Sequence, residues 1–147
     1  MQLTDGQWKR IFWIPIIITF FLALIDIKGI PLWNQGVLTS LFASIFFNFI
    51  FLIIATSTVI FYLITKDKSE AIAFGLAFLI QVYFGLWDLI FVKIHPLSDL
   101  SHLNNHFIIG KFAMLMGSDM VTMQTLLISS IVGLILSWFV IKWLRRI

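Results

Sequence analysis

The sequence predicts an all-α integral membrane protein: a four-transmembrane-helix bundle with an extra extracytoplasmic or re-entrant helix between spans three and four. Three observations predict it. The 147 residues are 61% hydrophobic and only 12% charged, with mean hydropathy +1.04, whereas a soluble domain is about half apolar and a quarter charged. Four segments approach the length of roughly 20 residues that crosses hydrocarbon as a helix. The basic residues gather at one end of those segments, with sixteen phenylalanines and six tryptophans to face lipid and its interfaces.

The predicted spans are about 11–27, 37–65, 71–94 and 121–141, forming a single membrane domain over 1–147. Lys9 and Arg10 ahead of the first run resemble the start of a signal peptide. No small-x-small cleavage site follows, so the run reads as an uncleaved span. Pro15 is expected in or just past the first turn of that span, where few N–H groups have intrahelical partners. Gly29, Pro31 and Gly36 predict a loop over 28–36, and Lys66, Asp67, Lys68, Ser69 and Glu70 read as a charged turn.

With four spans, Lys9, Arg10, Lys66, Lys68, Lys142, Arg145 and Arg146 share one side, and Lys28, Lys93 and Lys111 the other. Seven against three predicts a cell-membrane protein with both termini cytoplasmic. Each span offers one stripe of small or polar residues, as helix association in lipid requires. These are Thr19, Ala23 and Asp26; Ser40, Ser44 and Asn48; Ala77, Gln81, Gly85 and Asp88; and Ser129, Gly133 and Ser137. The plainest reading of Asn48 and Gln81 is helix–helix glue.

The outer connection, 95–120, is too polar at its start to cross lipid. The stretch from Asp88 to Met123 holds all three histidines and every methionine except the first. Pro96 suits a helix start. His95, Asp99, His102 and His106 are spaced by four, three and four, which on one helix makes a single stripe. Two imidazoles one turn apart and a carboxylate are a plausible ligand set for a transition metal. Asp88, Met114, Met116 and Asp119 form a second choice of ligands, and the thioethers, with Met120 and Met123 nearby, point to copper. The plainer alternatives are a hydrogen-bonded polar cap and methionines filling gaps. Asp88, an acid inside a span, is the candidate catalytic residue; an acid there is expected to face the interior and to have a partner, Lys93 or Lys111 among the candidates.

Other chemistries lack their residues. There is no cysteine, hence no disulfide or thiolate site. No H-E-x-x-H, Gly-rich phosphate loop or nucleophile elbow occurs. Three histidines are too few for a membrane di-iron desaturase. A net charge of +3, scattered along the chain, is no nucleic-acid footprint. The expected partners are the lipid bilayer and other membrane subunits. The expected function is an accessory subunit of a larger membrane complex, with a copper-dependent oxidase or monooxygenase as one candidate. The alternatives are a self-standing enzyme acting at the outer leaflet and a metal or proton transporter. A transporter fits least, because the inner half of the bundle reads as lacking an ionisable residue to continue a relay.

Overall fold

The computed structural model describes residues 4–34, 40–94, 100, 103–104 and 106–144, with the backbone alone for 5, 25–34 and 40–48. The described residues form six helices and no strand: α1 (Asp5–Asn34), α2 (Ser40–Thr65), α3 (Lys68–Tyr83), α4 (Leu86–Ile94), α5 (Ile109–Leu115) and α6 (Met123–Leu144). Two stretches, Gly6–Leu24 of α1 and Met123–Leu144, are long and apolar enough to cross a membrane, and α3 with α4 makes a third if the bent pair is one span. The fully described part of α2, Phe49–Thr65, is apolar but shorter.

Helix α1 starts earlier and ends later than hydropathy suggests. Thr4 caps it: the Thr4 N–H donates to Gln7 Oε1 at 2.7 Å, and the Thr4 carbonyl accepts from Gln7 N and Trp8 N. This is half of a capping box. Pro15 therefore lies in the third turn, inside the helix rather than at its start, and deprives the Ile11 carbonyl of its usual donor. The buried Thr19 hydroxyl is satisfied within the helix, donating to the Pro15 carbonyl at 2.8 Å. The loop expected over 28–36 is helical as far as Asn34. Pro31 removes one backbone N–H and crowds the carbonyl four residues earlier, yet the helix runs through it to Asn34.

The α2–α3 turn is only Lys66 and Asp67, with Lys66 at φ 57°. Asp67 Oδ1 accepts from Ser69 N at 2.9 Å and Glu70 N at 3.1 Å, so the predicted charged turn is already helix at Lys68. The third predicted span is broken. Helix α3 ends at Tyr83, Gly85 takes φ 89°, and α4 departs at 52°. A left-handed glycine just past the C-cap is a common helix stop. The freed Phe84 carbonyl accepts from Ser129 Oγ of α6 at 3.0 Å, with Ser130 Oγ at 3.4 Å. Gly133 of α6 lies so close to Phe84 that a Cβ there would collide with the Phe84 side chain.

Helix α3 is central, packing against α1, α2 and α6, while α1 continues along α4. Ala77 and Gln81 of α3, Thr19 and Ala23 of α1, and Ser129 and Ser137 of α6 are all buried, as the small-residue stripes predict. Asp26, Ser40, Ser44 and Asn48 lie outside the described side chains. Two core clusters mark the two ends. One joins Ile11, Ile54, Phe61, Phe74, Phe78 and Ile141, with Phe61 stacked on Phe74 at 4.3 Å. The other joins Val92, Leu103, Ile109, Ala113, Val121 and Leu126. The start of α1, the α2–α3 turn and the end of α6 thus share one end, with Lys9, Arg10, Lys66, Lys68 and Lys142.

Among the described residues, the helix expected from Pro96 is not continuous through His106. Leu100 and His106 are outside any helix, and Leu103 and Asn104 make one 3₁₀ turn. The cause is tertiary: Asn104 Oδ1 accepts from the Val121 backbone N at 2.7 Å, which folds the connection back on itself. Gly110 packs directly on the Asn104 carbonyl.

The break predicts which small residues matter. Ser129→Ala, which leaves the Phe84 carbonyl only the longer contact from Ser130 Oγ, a hydroxyl that also donates to the Leu126 carbonyl, should cost about 1 kcal/mol. Gly133→Ala should cost about 1–3 kcal/mol through overpacking. Gly6→Ala, with nothing within 4 Å of its added Cβ, should be neutral. Melting midpoints of the purified chain in detergent check this; a Gly133→Ala variant melting with the wild type would refute the close approach.

Candidate functional site

The end away from the basic cluster carries Asp88, His106 and the methionines singled out from sequence. Asp88 lies in the first turn of α4, three residues past the Gly85 break. It is half-buried and not without an interaction. Gln81 and Gly85, on its stripe, are buried. A carboxylate in the first turn of a helix is favoured by the amide dipoles there.

His95, Asp99 and His102 lie outside the described residues. His106 sits just ahead of α5, and its Nδ1 accepts from Ile108 N at 3.4 Å and Ile109 N at 3.3 Å. Its ring approaches Tyr83, the last residue of α3, at 6.1 Å between centroids. An Nδ1 that accepts leaves the neutral ring's proton on Nε2. To ligate a metal through Nε2, the ring would have to move that proton to Nδ1 and give up both backbone contacts. Among the described residues no three His, Asp or Glu side chains are grouped so as to hold a metal.

The methionines are not gap-fillers. Met114, Met116 and Met120 are 58%, 43% and 60% exposed, and Asp119 beside them is exposed. Only Met123 packs against the outer core cluster. Phe107 and Leu115, at either end of the same segment, are 80% and 84% exposed. Ile109, Gly110 and Ala113 form the inward face of α5.

The basic end holds a buried acid, in the stretch that reads from sequence as a charged turn. Glu70 is 1% exposed. Its Oε2 accepts from Gln7 Nε2 at 3.2 Å, and its Oε1 lies 3.7 Å from the Arg10 guanidinium, an ion pair too long for a hydrogen bond. The same Gln7 amide accepts the Thr4 N–H, so one side chain closes the α1 cap and binds the acid at the start of α3. The signals were present in sequence as T-x-x-Q at 4–7 and D-x-x-E at 67–70, both capping-box spacings. Glu70 stands at the reciprocal position but turns toward α1 instead of back to Asp67.

Midway between the ends, Gln81 Nε2 donates to the Phe12 carbonyl and to Ser137 Oγ, both at 3.3 Å, so one amide ties α1, α3 and α6 together. Ser137 Oγ in turn donates to the Leu134 carbonyl at 2.9 Å. This is the expected glue. Glu70 supplies the inner-half ionisable group that the sequence reading found missing. About 16 Å of helix separates it from Gln81, filled by the buried side chains of Phe74, Ala77 and Phe78. A relay is therefore opposed by packing rather than by composition.

Arg10 and Glu70 should be energetically coupled. Arg10→Ala leaves a buried carboxylate with one amide donor and should cost about 1–2 kcal/mol, less than a fully buried pair because the Arg10 side chain is 56% exposed. In an Arg10→Ala background, Glu70→Gln should recover part of that loss. Additive melting shifts in the double-mutant cycle would show that the pair is not coupled.

Comparison of the chain with protein-family models, with curated proteins and with solved structures finds no match.

Proposed function

We propose that this chain is a four-span membrane protein, both termini cytoplasmic, that serves as an accessory subunit of a larger membrane complex at its outer face. The observation that carries this reading is the apolar side of the connection. Phe107 and Leu115 are among its most exposed side chains, and Met114 and Met120 are more than half exposed. Lipid covers the apolar flanks of spans, but a connection lying over the bundle has no such solvent. Methionine's flexible thioether suits a surface that conforms to a partner. The basic residues at the shared end of α1, α3 and α6 support cytoplasmic termini.

A second reading is favoured by one specific feature: three exposed thioethers, Met114, Met116 and Met120, within seven residues. Soft ligands of this kind take Cu(I), and His95, Asp99, His102 and His106 lie on the same connection. A copper-dependent oxidase or monooxygenase is the complex this would suit. A self-standing outer-leaflet enzyme using Asp88 draws less support, since among the described residues no group of three His, Asp or Glu side chains forms a metal site around it.

Purification from native membranes in mild detergent tests the subunit reading. Other subunits should co-purify stoichiometrically, and Phe107→Ser with Leu115→Ser should release them without changing the chain's own melting. A monodisperse, active single protein would overturn it. For the metal, elemental analysis should find stoichiometric copper that falls in His102→Ala and in a Met114, Met116, Met120 triple leucine variant; substoichiometric metal unchanged by both removes that reading. For topology, a cysteine at Ser69 should resist an impermeant thiol reagent in intact cells, and one at the exposed Asp119 should label. Labelling at Ser69 would sink the four-span arrangement.

A further inference from the structure

Between α1 and α6, near the basic end, lies an open groove of about 310 Å³ lined by Phe12, Leu134, Ile135 and Trp138. No polar surface lines it. We propose that this groove binds one acyl chain of an anionic phospholipid of the cytoplasmic leaflet, with Lys142 and Lys9 holding the headgroup phosphate.

The argument begins with where the groove's charges stand. Leu134, Ile135 and Trp138 occupy one face of α6 at i, i+1 and i+4. One turn further toward the basic end, Lys142 extends back over the Trp138 ring, its Nζ 4.1 Å from the centroid. That contact holds the ammonium at the rim of the groove rather than out in water. Lys142 is exposed and meets no carboxylate among the described residues. On α1, Lys9 is exposed and lies three residues before Phe12, on the same helix face. Helices α1 and α6 run antiparallel: Ile11 and Ile141 share a core cluster, which Trp8 and Leu144 flank. The step from Phe12 to Lys9 and the step from Trp138 to Lys142 therefore lead the same way. Two cations cap one end of an apolar trough, and the trough runs from them toward the middle of the bundle. A phospholipid has this shape and this polarity. Arg10, next in sequence, is already engaged with Glu70.

The groove's polar backing explains why it stays open. Gln81 of α3 donates to the Phe12 carbonyl on one wall and to Ser137 Oγ behind the other, so both walls are tied to α3. Ile135, half exposed at 49%, forms the lipid-side lip.

Lipid retention tests this. The purified, delipidated full chain is offered equal amounts of phosphatidylglycerol and phosphatidylcholine with identical acyl chains, and the first lipid bound is identified by native mass spectrometry. A basic side chain near an anionic surface contributes about fivefold in affinity, so two predict a preference of roughly 25-fold for phosphatidylglycerol. Lys9→Gln with Lys142→Gln should abolish the preference. Ile135→Trp, which fills the groove from an exposed position, should lose the first lipid of either kind. Lys93→Gln with Lys111→Gln, at the far end, should change nothing. No preference in the wild type, or a preference that survives the Lys9, Lys142 double substitution or Ile135→Trp, overturns the proposal. A groove that seats a partner's helix instead would show no headgroup preference and would lose co-purifying subunits on Ile135→Trp. The subunit reading is tested on Phe107 and Leu115 at the opposite end, so either can fail alone.

Discussion

A helix that stops inside an apolar chain frees backbone groups that neither lipid nor side-chain methylenes can satisfy, and the break at Phe84–Gly85 makes that the governing constraint here. An unsatisfied carbonyl in hydrocarbon is expensive. The Ser129 and Ser130 hydroxyls meet it from α6, and they reach it only because Gly133 lets α6 lie against Phe84. Gly85 has the same double role from the other side. It takes the left-handed turn, and a Cβ there would meet Leu126 and Ile109. The packing of α6 and the seating of α5 both follow from where α3 ends. The bend in turn directs α4 along α1 while α3 stays against α2 and α6.

The remaining polar groups of the interior obey the same logic at two other depths. Gln81 is surrounded by buried apolar side chains; its Nε2 bonds across to α1 and α6, while its Oε1 finds no protein donor among the described residues. At the inner end, Gln7 and Asp67 complete helix caps, and Gln7 with Arg10 also binds Glu70, so the starts of α1 and α3 are fastened by the groups that begin each helix. Individually such bonds in membrane bundles are modest, on the order of 0.6 kcal/mol. Their value lies in register, since each can be made in only one relative position of the helices.

The small-residue stripes were legible from spacing alone: Ala77 with Gln81 and Ser129 with Ser137 are buried as i, i+4 and i+8 periodicity requires. The break was not, because within an apolar run Gly85 reads equally as a packing residue or as a stop, and only the long-range contact to Ser129 decides. Glu70 was missed because Lys66, Asp67, Lys68 and Ser69 make its neighbourhood look solvated; burial came from α1 arriving beside it. Pro31 and Gly29 read as punctuation, yet a long helix absorbs one lost bond. The histidine stripe was read from its four-three-four periodicity, but at His106, the one histidine the structure describes, the chain is outside any helix, next to the segment that the Asn104–Val121 bond, seventeen residues apart, folds back. Of the candidate site, Asp88 and the methionines are placed, and His95, Asp99 and His102 fall outside what the structure describes.

The two ends of the molecule consequently differ in what their side chains are engaged in. At the basic end Gln7, Asp67 and Glu70 are all bonded within the chain, with Arg10 as counterion, and the lysines around them are exposed. At the opposite end Leu103, Ile109 and Ala113 pack inward, while Phe107, Met114, Leu115, Met116 and Met120 are exposed. Helix α5 has seven residues, too few to be stable by itself, and its inward face is only Ile109, Gly110 and Ala113. His106 and Gly110 hold its start, while Met114, Leu115 and Met116 gain nothing from the bundle. Helix α5 thus divides its apolar groups, burying Ile109 and Ala113 against the bundle while Met114, Leu115 and, just past its end, Met116 stay exposed, so its hold on the bundle rests on one fully buried large side chain and on the close approach of Gly110 to Asn104.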